Sequence, residues 1–240
     1  MKTVTSILVF LIITATLNAQ VFTKKIKGNG DFKIESRTVS NFDKISVAGS
    51  FDVQLIKGNE GEIVIKADKN LLEYIVTEVD GNKLKIKTKK GFQIKASKTI
   101  KITVSFSSID AVSIAGSGTV FSEENINSDN LKLSLAGSGN LNLKVSSTSL
   151  KTSIAGSGNI TLTGKTNIFK ASIAGSGNIN AYELKANVIK VSITGSGNAK
   201  VNAINEIGAI TTGSGNIYYK GNPKIEKAKS IGSGAIKNKN

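Results

Sequence analysis

Seven serines stand between paired glycines: Ser117, Ser138, Ser157, Ser176, Ser196, Ser214 and Ser233. A glycine-flanked serine could be an acyl-transfer nucleophile, part of a dinucleotide-binding turn, or part of a phosphate cradle. Each chemistry needs partners. A serine nucleophile needs an adjacent base, and the sequence contains no histidine. The flanks also differ from the Gly-x-Ser-x-Gly elbow. A dinucleotide fingerprint needs a third glycine at its proper offset and an adjoining helix, and a phosphate loop needs Gly-x-x-x-x-Gly-Lys-Ser/Thr. Neither pattern occurs in full.

The acidic residues offer the remaining chemistry. Calcium-binding β-roll turns carry an Asp whose carboxylate reaches the ion, whereas the matching position here holds Asn or Thr. Zinc is disfavoured without His or Cys ligands. Glycoside hydrolysis requires two carboxylates across a cleft, and Glu123, Glu124, Glu183 and Glu206 are the candidates for such a pair. The run "EEN" at 123–125 otherwise reads as a solvated loop. Tryptophan is absent, and the repeats hold the tyrosines Tyr182, Tyr218 and Tyr219. No catalytic residue, cofactor or metal ligand is expected.

The glycines make better sense as builders. Their tripeptides begin at Gly116, Gly137, Gly156, Gly175, Gly195, Gly213 and Gly232, at intervals of 21, 19, 19, 20, 18 and 19 residues. A period near 19 is too short for a βαβ unit and indicates a stacked coil of two or three short strands. The expected corners pair Gly116 with Gly118, Gly137 with Gly139, Gly156 with Gly158, Gly175 with Gly177, Gly195 with Gly197, and Gly213 with Gly215. Glycine tolerates φ > 0 at such a corner and lets successive corners lie close. Two residues before the first glycine stand Ile114, Leu135, Ile154, Ile173 and Ile193. They are expected to form one interior column. Asn140, Asn159, Asn178, Asn198 and Asn216 would form a hydrogen-bonded ladder beside the corners, and the serines could bond to their equivalents likewise.

The elements that position these corners are strands. "KLKIKTK" (83–89), "GEIVIKA" (61–67) and "KTIKITVSF" (98–106) alternate apolar with polar residues and favour β-branched types. The segment 68–80 contains the one helical signal, reduced by its Val and Ile content to a turn or two before a strand. "GNEG" (58–61) and "DGNK" (80–83) are turn signals. The first 19 residues, with Lys2, the apolar run Ile7–Ile13 and a small-residue end at Ala19, have the layout of a cleaved signal peptide. Cysteine is absent, so neither disulfides nor a lipidated N-terminal Cys are available. No later stretch suits a membrane-spanning helix, so no membrane span is expected in the mature chain.

The formal net charge is +15, with Arg37 the only arginine. Residues 21–110 hold 17 basic and 11 acidic groups, and residues 111–240 hold 14 and 6. The excess reads as spread along the chain, on solvated strand faces and not in one patch. Nucleic-acid binding, which favours clustered bases and arginine, is not expected. Attraction to acidic polysaccharide or anionic envelope lipid stays open.

"FDKISVAGSFDVQLIKG" (42–58), "NLLEYIVTEVDGNKLKIKTKKG" (70–91), "IKITVSF" (100–106) and "VSIAGSG" (112–118) occur in a recognisable order. Over roughly residues 39–220 the chain resembles the putative auto-transporter adhesin, head GIN-domain family of Bacteroidetes-type exported proteins. The resemblance implies a β-solenoid, a cell-envelope or extracellular location and an adhesive role. It brings no catalytic residues. No auto-transporter barrel is expected after Asn240.

The expected architecture is all-β: a single-stranded, right-handed β-solenoid (β-helix) with an irregular, strand-rich N-terminal part as its cap. The divisions are a signal peptide (1–19), a linker or first strand (20–38), the strand-rich part (39–110), the repeat solenoid (111–235) and a basic tail (236–240) that discourages edge pairing. The leading functional reading is a non-enzymatic envelope or adhesion module whose flat faces meet a glycan or an envelope protein. The rivals are a carbohydrate-active enzyme on a β-helix and a scaffold that stacks end to end.

Overall fold

The computed structural model describes residues 23–240; the expected signal peptide lies outside the described residues. Strand accounts for 74% of the described residues and helix for 3%, so backbone pairing between strands carries the architecture. The N-terminal strands are β1 (Lys24–Lys27), β2 (Phe32–Thr38), β3 (Lys44–Gly49), β4 (Asp52–Lys57) and β5 (Glu62–Asp68). A 3₁₀ turn, Lys69–Tyr74, leads into β6 (Ile75–Asp80), β7 (Lys83–Thr88), β8 (Phe92–Lys95) and β9 (Lys101–Phe106). The 3₁₀ turn is the whole of the helical signal at 68–80, because Ile75 and Val76 continue directly into a strand.

The repeats are β10 (Ala111–Gly116), β11 (Thr119–Gly137), β12 (Asn140–Gly156), β13 (Asn159–Gly175), β14 (Asn178–Gly195) and β15 (Asn198–Gly213), closed by β16 (Asn216–Lys220), β17 (Lys224–Ile231) and β18 (Ile236–Asn238). Each of β11 to β15 is one coil of a β-solenoid of about 7 turns. Successive coils pair in parallel and in register, so Ile154 meets Leu135 on one side and Ile173 on the other. The irregular intervals have a structural cause. The 21-residue interval holds Glu123 and Glu124 as a bulge between Ser122 and Asn125, while the 19-residue β12–β13 step has no register shift. Bulges near Ala181 and Ala186 account for the intervals of 20 and 18.

The interior is filled by in-register apolar columns. The one containing Ile114, Leu135, Ile154, Ile173 and Ile193 runs on through Val47 and Ile86 at one end and Thr211 at the other, all buried. Removing three carbons from such a rung, as in Ile→Ala, costs about 2–5 kcal/mol because rigid neighbours leave a cavity.

The first coil is built from distant parts of the chain. β3 lies between β10 and β7, and β4 lies between β11 and β9, all in parallel. After β4 the chain therefore leaves the stack, lays down β5 to β9 beyond that coil, and returns at β10. This outer layer ends in antiparallel pairs, β6 on β7, β5 on β9 and β2 on β5. Within the stretch expected to be a linker or first strand lie β1, which pairs with β8, and β2, which pairs with β5. At the other end, Ile236–Asn238 pairs with β16 and the Lys239 N–H donates to the Tyr219 carbonyl at 2.8 Å. The basic tail thus extends the stack where it was expected to stop pairing, because its backbone groups find partners on β16 while its lysines point to solvent.

Candidate binding faces

The corners show why two glycines are needed. Gly156 has φ +125°, and a Cβ placed on it would stand 2.5 Å from the Gly137 carbonyl oxygen. Gly158 lies outside that left-handed region, yet its Cβ would stand 2.4 Å from the Gly139 oxygen. The first glycine thus answers to conformation and crowding, the second to crowding alone. Gly116, Gly137, Gly175, Gly195 and Gly213 repeat the first situation; Gly118, Gly139, Gly177, Gly197 and Gly215 repeat the second. The close approach serves backbone pairing. The Gly137 carbonyl accepts from Ser157 N–H at 2.9 Å and Gly158 N–H at 3.0 Å.

An additional corner begins at Gly49, in register with Gly116 and with φ +137°. Sequence reading passed over it because Phe51 occupies the place of the second glycine. That ring is buried and lies against Gly49. The serines differ from the expectation of a hydroxyl ladder. Their side chains are exposed, and among the described residues they make no hydrogen bonds to one another. Rung-to-rung bonds come from the asparagines, where Asn159, Asn178 and Asn198 Nδ2 each donate to the preceding Oδ1 at 3.0–3.1 Å. Asn216 Nδ2 completes the ladder to Asn198 at 3.1 Å. The one Gly-Lys-Thr, at 164–166, sits inside β13, with Gly164 at φ +111° packed on the Val145 carbonyl. It is a bend in a coil and not a strand-to-helix phosphate loop.

Lysine forms a second outward column. Lys132, Lys151, Lys170 and Lys190 are consecutive in-register partners, all exposed, and none makes an ion pair among the described residues. At the coil rise of about 4.8 Å, like charges so placed oppose folding by up to about 1 kcal/mol per pair in water. Gly208 follows Lys190 in register, and Lys227 follows Gly208. The missing side chain opens a hollow of about 350 Å³ lined by Lys151, Lys170, Lys190, Lys227 and Glu226. Beside the lysines run Ser134, Ser153, Ser172 and Ser192, then Ala136, Ala155, Ala174 and Thr194. The result is a flat face with a charged margin. Charge read as spread along the sequence is gathered by the fold. The signal was legible, since each of these lysines stands five residues before a corner glycine.

Another outward face carries Tyr182 and Tyr218. Asn178, Asn180, Asn198, Lys200 and Tyr218 surround a shallow space of about 370 Å³, and Lys220 Nζ lies 4.7 Å from the centre of the Tyr182 ring. Partial burial, followed by the nearby Tyr218, pushes the Tyr182 phenol up from its ordinary value. Tyr219 points inward and is buried.

This combination of a strand-rich end and glycine-cornered coils is shared by a known family. The family model described as putative auto-transporter adhesin, head GIN domain, matches residues 41–223. The chain belongs to that family. Solved structures agree. A putative adhesin from Bacteroides fragilis is 28% identical with a TM-score of 0.85, covering 89% of this chain and 100% of that one. A putative lipid binding protein from Parabacteroides distasonis is also 28% identical, at a TM-score of 0.76, with 90% and 100% coverage. A putative adhesin from Parabacteroides merdae, at 24% identity and a TM-score of 0.68, shares the fold with 91% and 100% coverage. No curated protein matches the sequence.

Within this head GIN domain the candidate carboxylates are dispersed. Glu183 is in register with Thr163, Lys144 and then Asn125, the neighbour of Glu124. Three coil rises separate them, roughly 14 Å, beyond the roughly 5–9.5 Å of paired glycosidase carboxylates. Glu123 is exposed on the same bulge, and Glu124 accepts from Lys57 N–H. Glu206 lies in a different column, in register with Val188. Among the described residues no group of three His, Cys, Asp or Glu could hold a metal ion, and no helix is long and apolar enough to cross a membrane.

Sequence reading missed two buried or half-buried carboxylates in the N-terminal part. Asp68 is fully buried and accepts from Gly30 N–H at 2.7 Å, Ser97 N–H at 3.0 Å and Ser97 Oγ at 2.6 Å. Burial pushes its pKa up, but the donors from Ser97 and Gly30 outweigh burial and hold the carboxyl below the ordinary range. Glu60 likewise loses to burial but gains more from Ser107, Phe42 and Ser108 donors, which leaves it lowered. Arg37 is also structural. It donates to the Leu72 carbonyl at 2.7 Å and pairs with Glu35 at 2.7 Å. None of the three could be told from a surface charge without knowing its partners.

Proposed function

We propose that this protein is a non-enzymatic, exported module of the cell envelope that holds a glycan or an envelope protein against its flat solenoid faces. The observation that carries the reading is the in-register outer surface, where identical lysines and serines repeat over four successive coils without a facing carboxylate pair. Such a surface is preorganised, so a partner with its own repeat binds without ordering loops. Membership of a family named for adhesion supports the same reading, as does the structural neighbour named as a putative adhesin from Bacteroides fragilis. The corner glycines and the isoleucine column serve the rigidity of these faces and contact no partner.

The test is binding of the purified mature protein to cell-envelope fractions and to a glycan array. Saturable binding to either is the expected result. Retention by neither would contradict adhesion, and release of reducing sugar from a polysaccharide would favour the enzymatic rival.

A further inference from the structure

We infer that the lysine column is a docking track for a linear acidic polysaccharide, with one sugar seated in the hollow at Gly208; this deepens the adhesion reading and rests on it. Lys132, Lys151, Lys170 and Lys190 present one cation per coil in a straight row, at about the 4.8 Å spacing of paired strands. A uronic-acid chain presents one carboxylate per sugar, a repeat of the same order. Its charges can meet the ammonium groups one for one without bending either partner. None of these cations makes an ion pair among the described residues, and Glu226 lines the hollow without pairing to any of them, so a polyanion relieves repulsion that the folded chain otherwise carries.

Shape adds to charge at the end of the row. Gly208 adopts no left-handed conformation, and a Cβ there would meet nothing closer than 3.9 Å. Its lack of a side chain is therefore not demanded by the corner geometry. It leaves the hollow of about 350 Å³ between Lys190 and Lys227. The serines and alanines beside the lysines are small enough for a sugar ring to lie flat on them.

Other anionic surfaces fit less well. Single-stranded nucleic acid is held by aromatic platforms, and the half-buried Tyr182 and Tyr218 lie on a different face. A bilayer surface favours several apolar side chains for insertion; of the four exposed large apolar residues among the described ones, Ile34 and Ile204 lie outside this face, Ile225 continues the interior column of Ile189 and Ile207, and Ile231 alone ends the row of Ala174, Thr194 and Thr212.

The experiment measures binding of the folded protein to polygalacturonate and to neutral dextran at low and physiological salt. Two variants test the track: Lys151→Glu/Lys170→Glu/Lys190→Glu, and Gly208→Leu, which fills the hollow without changing charge. A third, Lys144→Glu/Lys165→Glu/Lys185→Glu, makes the same charge change outside the column. The expected result is salt-sensitive binding to polygalacturonate alone, weakened at least tenfold by the track triple, several-fold by Gly208→Leu, and less than threefold by the control triple. Circular dichroism melts confirm that each variant is folded. Equal losses in the two triples, or no loss on filling the hollow, would overturn the inference. So would binding to anionic phospholipid vesicles without binding to polygalacturonate. If envelope fractions bind the protein but polygalacturonate does not, the track falls while the adhesion reading stands; if neither binds, both fall.

Discussion

The two halves of this molecule satisfy their polar groups by opposite means. In the coils, each corner carbonyl accepts N–H groups from the next coil, and neutral asparagine amides bond to one another along the stack. In the N-terminal part the chain leaves the stack and returns, so identical residues align in isolated pairs, such as Ile26 with Ile94 and Lys44 with Lys83, and build no asparagine ladder. There, ionised groups gather the stray donors: Asp68 takes Ser97 and Gly30, Glu60 takes Ser107 and Phe42, and Arg37 supplies the Leu72 carbonyl. Repetition permits a neutral solution, whereas an irregular layer requires charges that reach in several directions. The coils should therefore be indifferent to pH and intolerant of bulk, and the N-terminal part the reverse.

Bulk gives the largest expected effect. Gly156→Ala must accept both a disfavoured φ and a Cβ against the Gly137 carbonyl, and should cost at least about 3 kcal/mol. Gly81→Ala, with φ +61° but open space around it, should cost only about 1 kcal/mol. Urea unfolding of the two variants measures the difference; similar losses would mean that crowding at the coil corner is unimportant.

Charge gives the next. Asp68→Asn removes the ionised acceptor while keeping the shape, and should destabilise by about 2–3 kcal/mol at neutral pH. The sign of the pH dependence follows from the lowered carboxyl. Its stabilisation is complete above the unfolded value and is lost as pH falls through the lower folded value. Stability measured across the acid range should fall in the parent and flatten in Asp68→Asn. A parallel decline in both would assign the acid sensitivity elsewhere.

A defect in the neutral half sharpens the contrast. Thr152 occupies an interior column between Leu133 and Ala171, and its hydroxyl is buried without a partner. Thr152→Val should raise stability by about 1 kcal/mol, visible as a higher denaturation midpoint with unchanged slope. The smallest effect concerns the outer row. Lys170→Glu replaces two like-charge neighbours with two opposite ones and should stabilise by about 0.5 kcal/mol at low salt, fading as salt screens the row. The same change weakens the proposed polyanion track, so stability and binding should move in opposite directions.

Where a rule repeats, the sequence was readable. The glycine interval announced the stack, and Ile114 to Ile193 could be placed in one column because the offset to the corner never changes. The lysine row obeyed the same arithmetic but was hidden by counting charge along the chain when the repeat set the relevant direction. Gly49 escaped because Phe51 replaced its partner glycine and a long excursion separates it from Gly116. Asp68, Glu60 and Arg37 were not readable at all. Their roles depend on hydrogen-bond partners about 20 to 50 residues away that no local pattern indicates. For the binding faces, residue types were legible but the alignment that makes them faces was not.

Hydrogen exchange resolved to single amides, near neutral pH and again below the ordinary carboxylate range, tests the contrast between the halves most directly. After correction for intrinsic rates, Gly30, Ser97, Phe42 and Ser107 should lose protection in acid, while Ser157, Gly158 and Ser176 keep theirs. Equal loss in both groups, or loss beginning at the coil corners, would contradict the division between a charge-held N-terminal part and a neutral, close-packed stack.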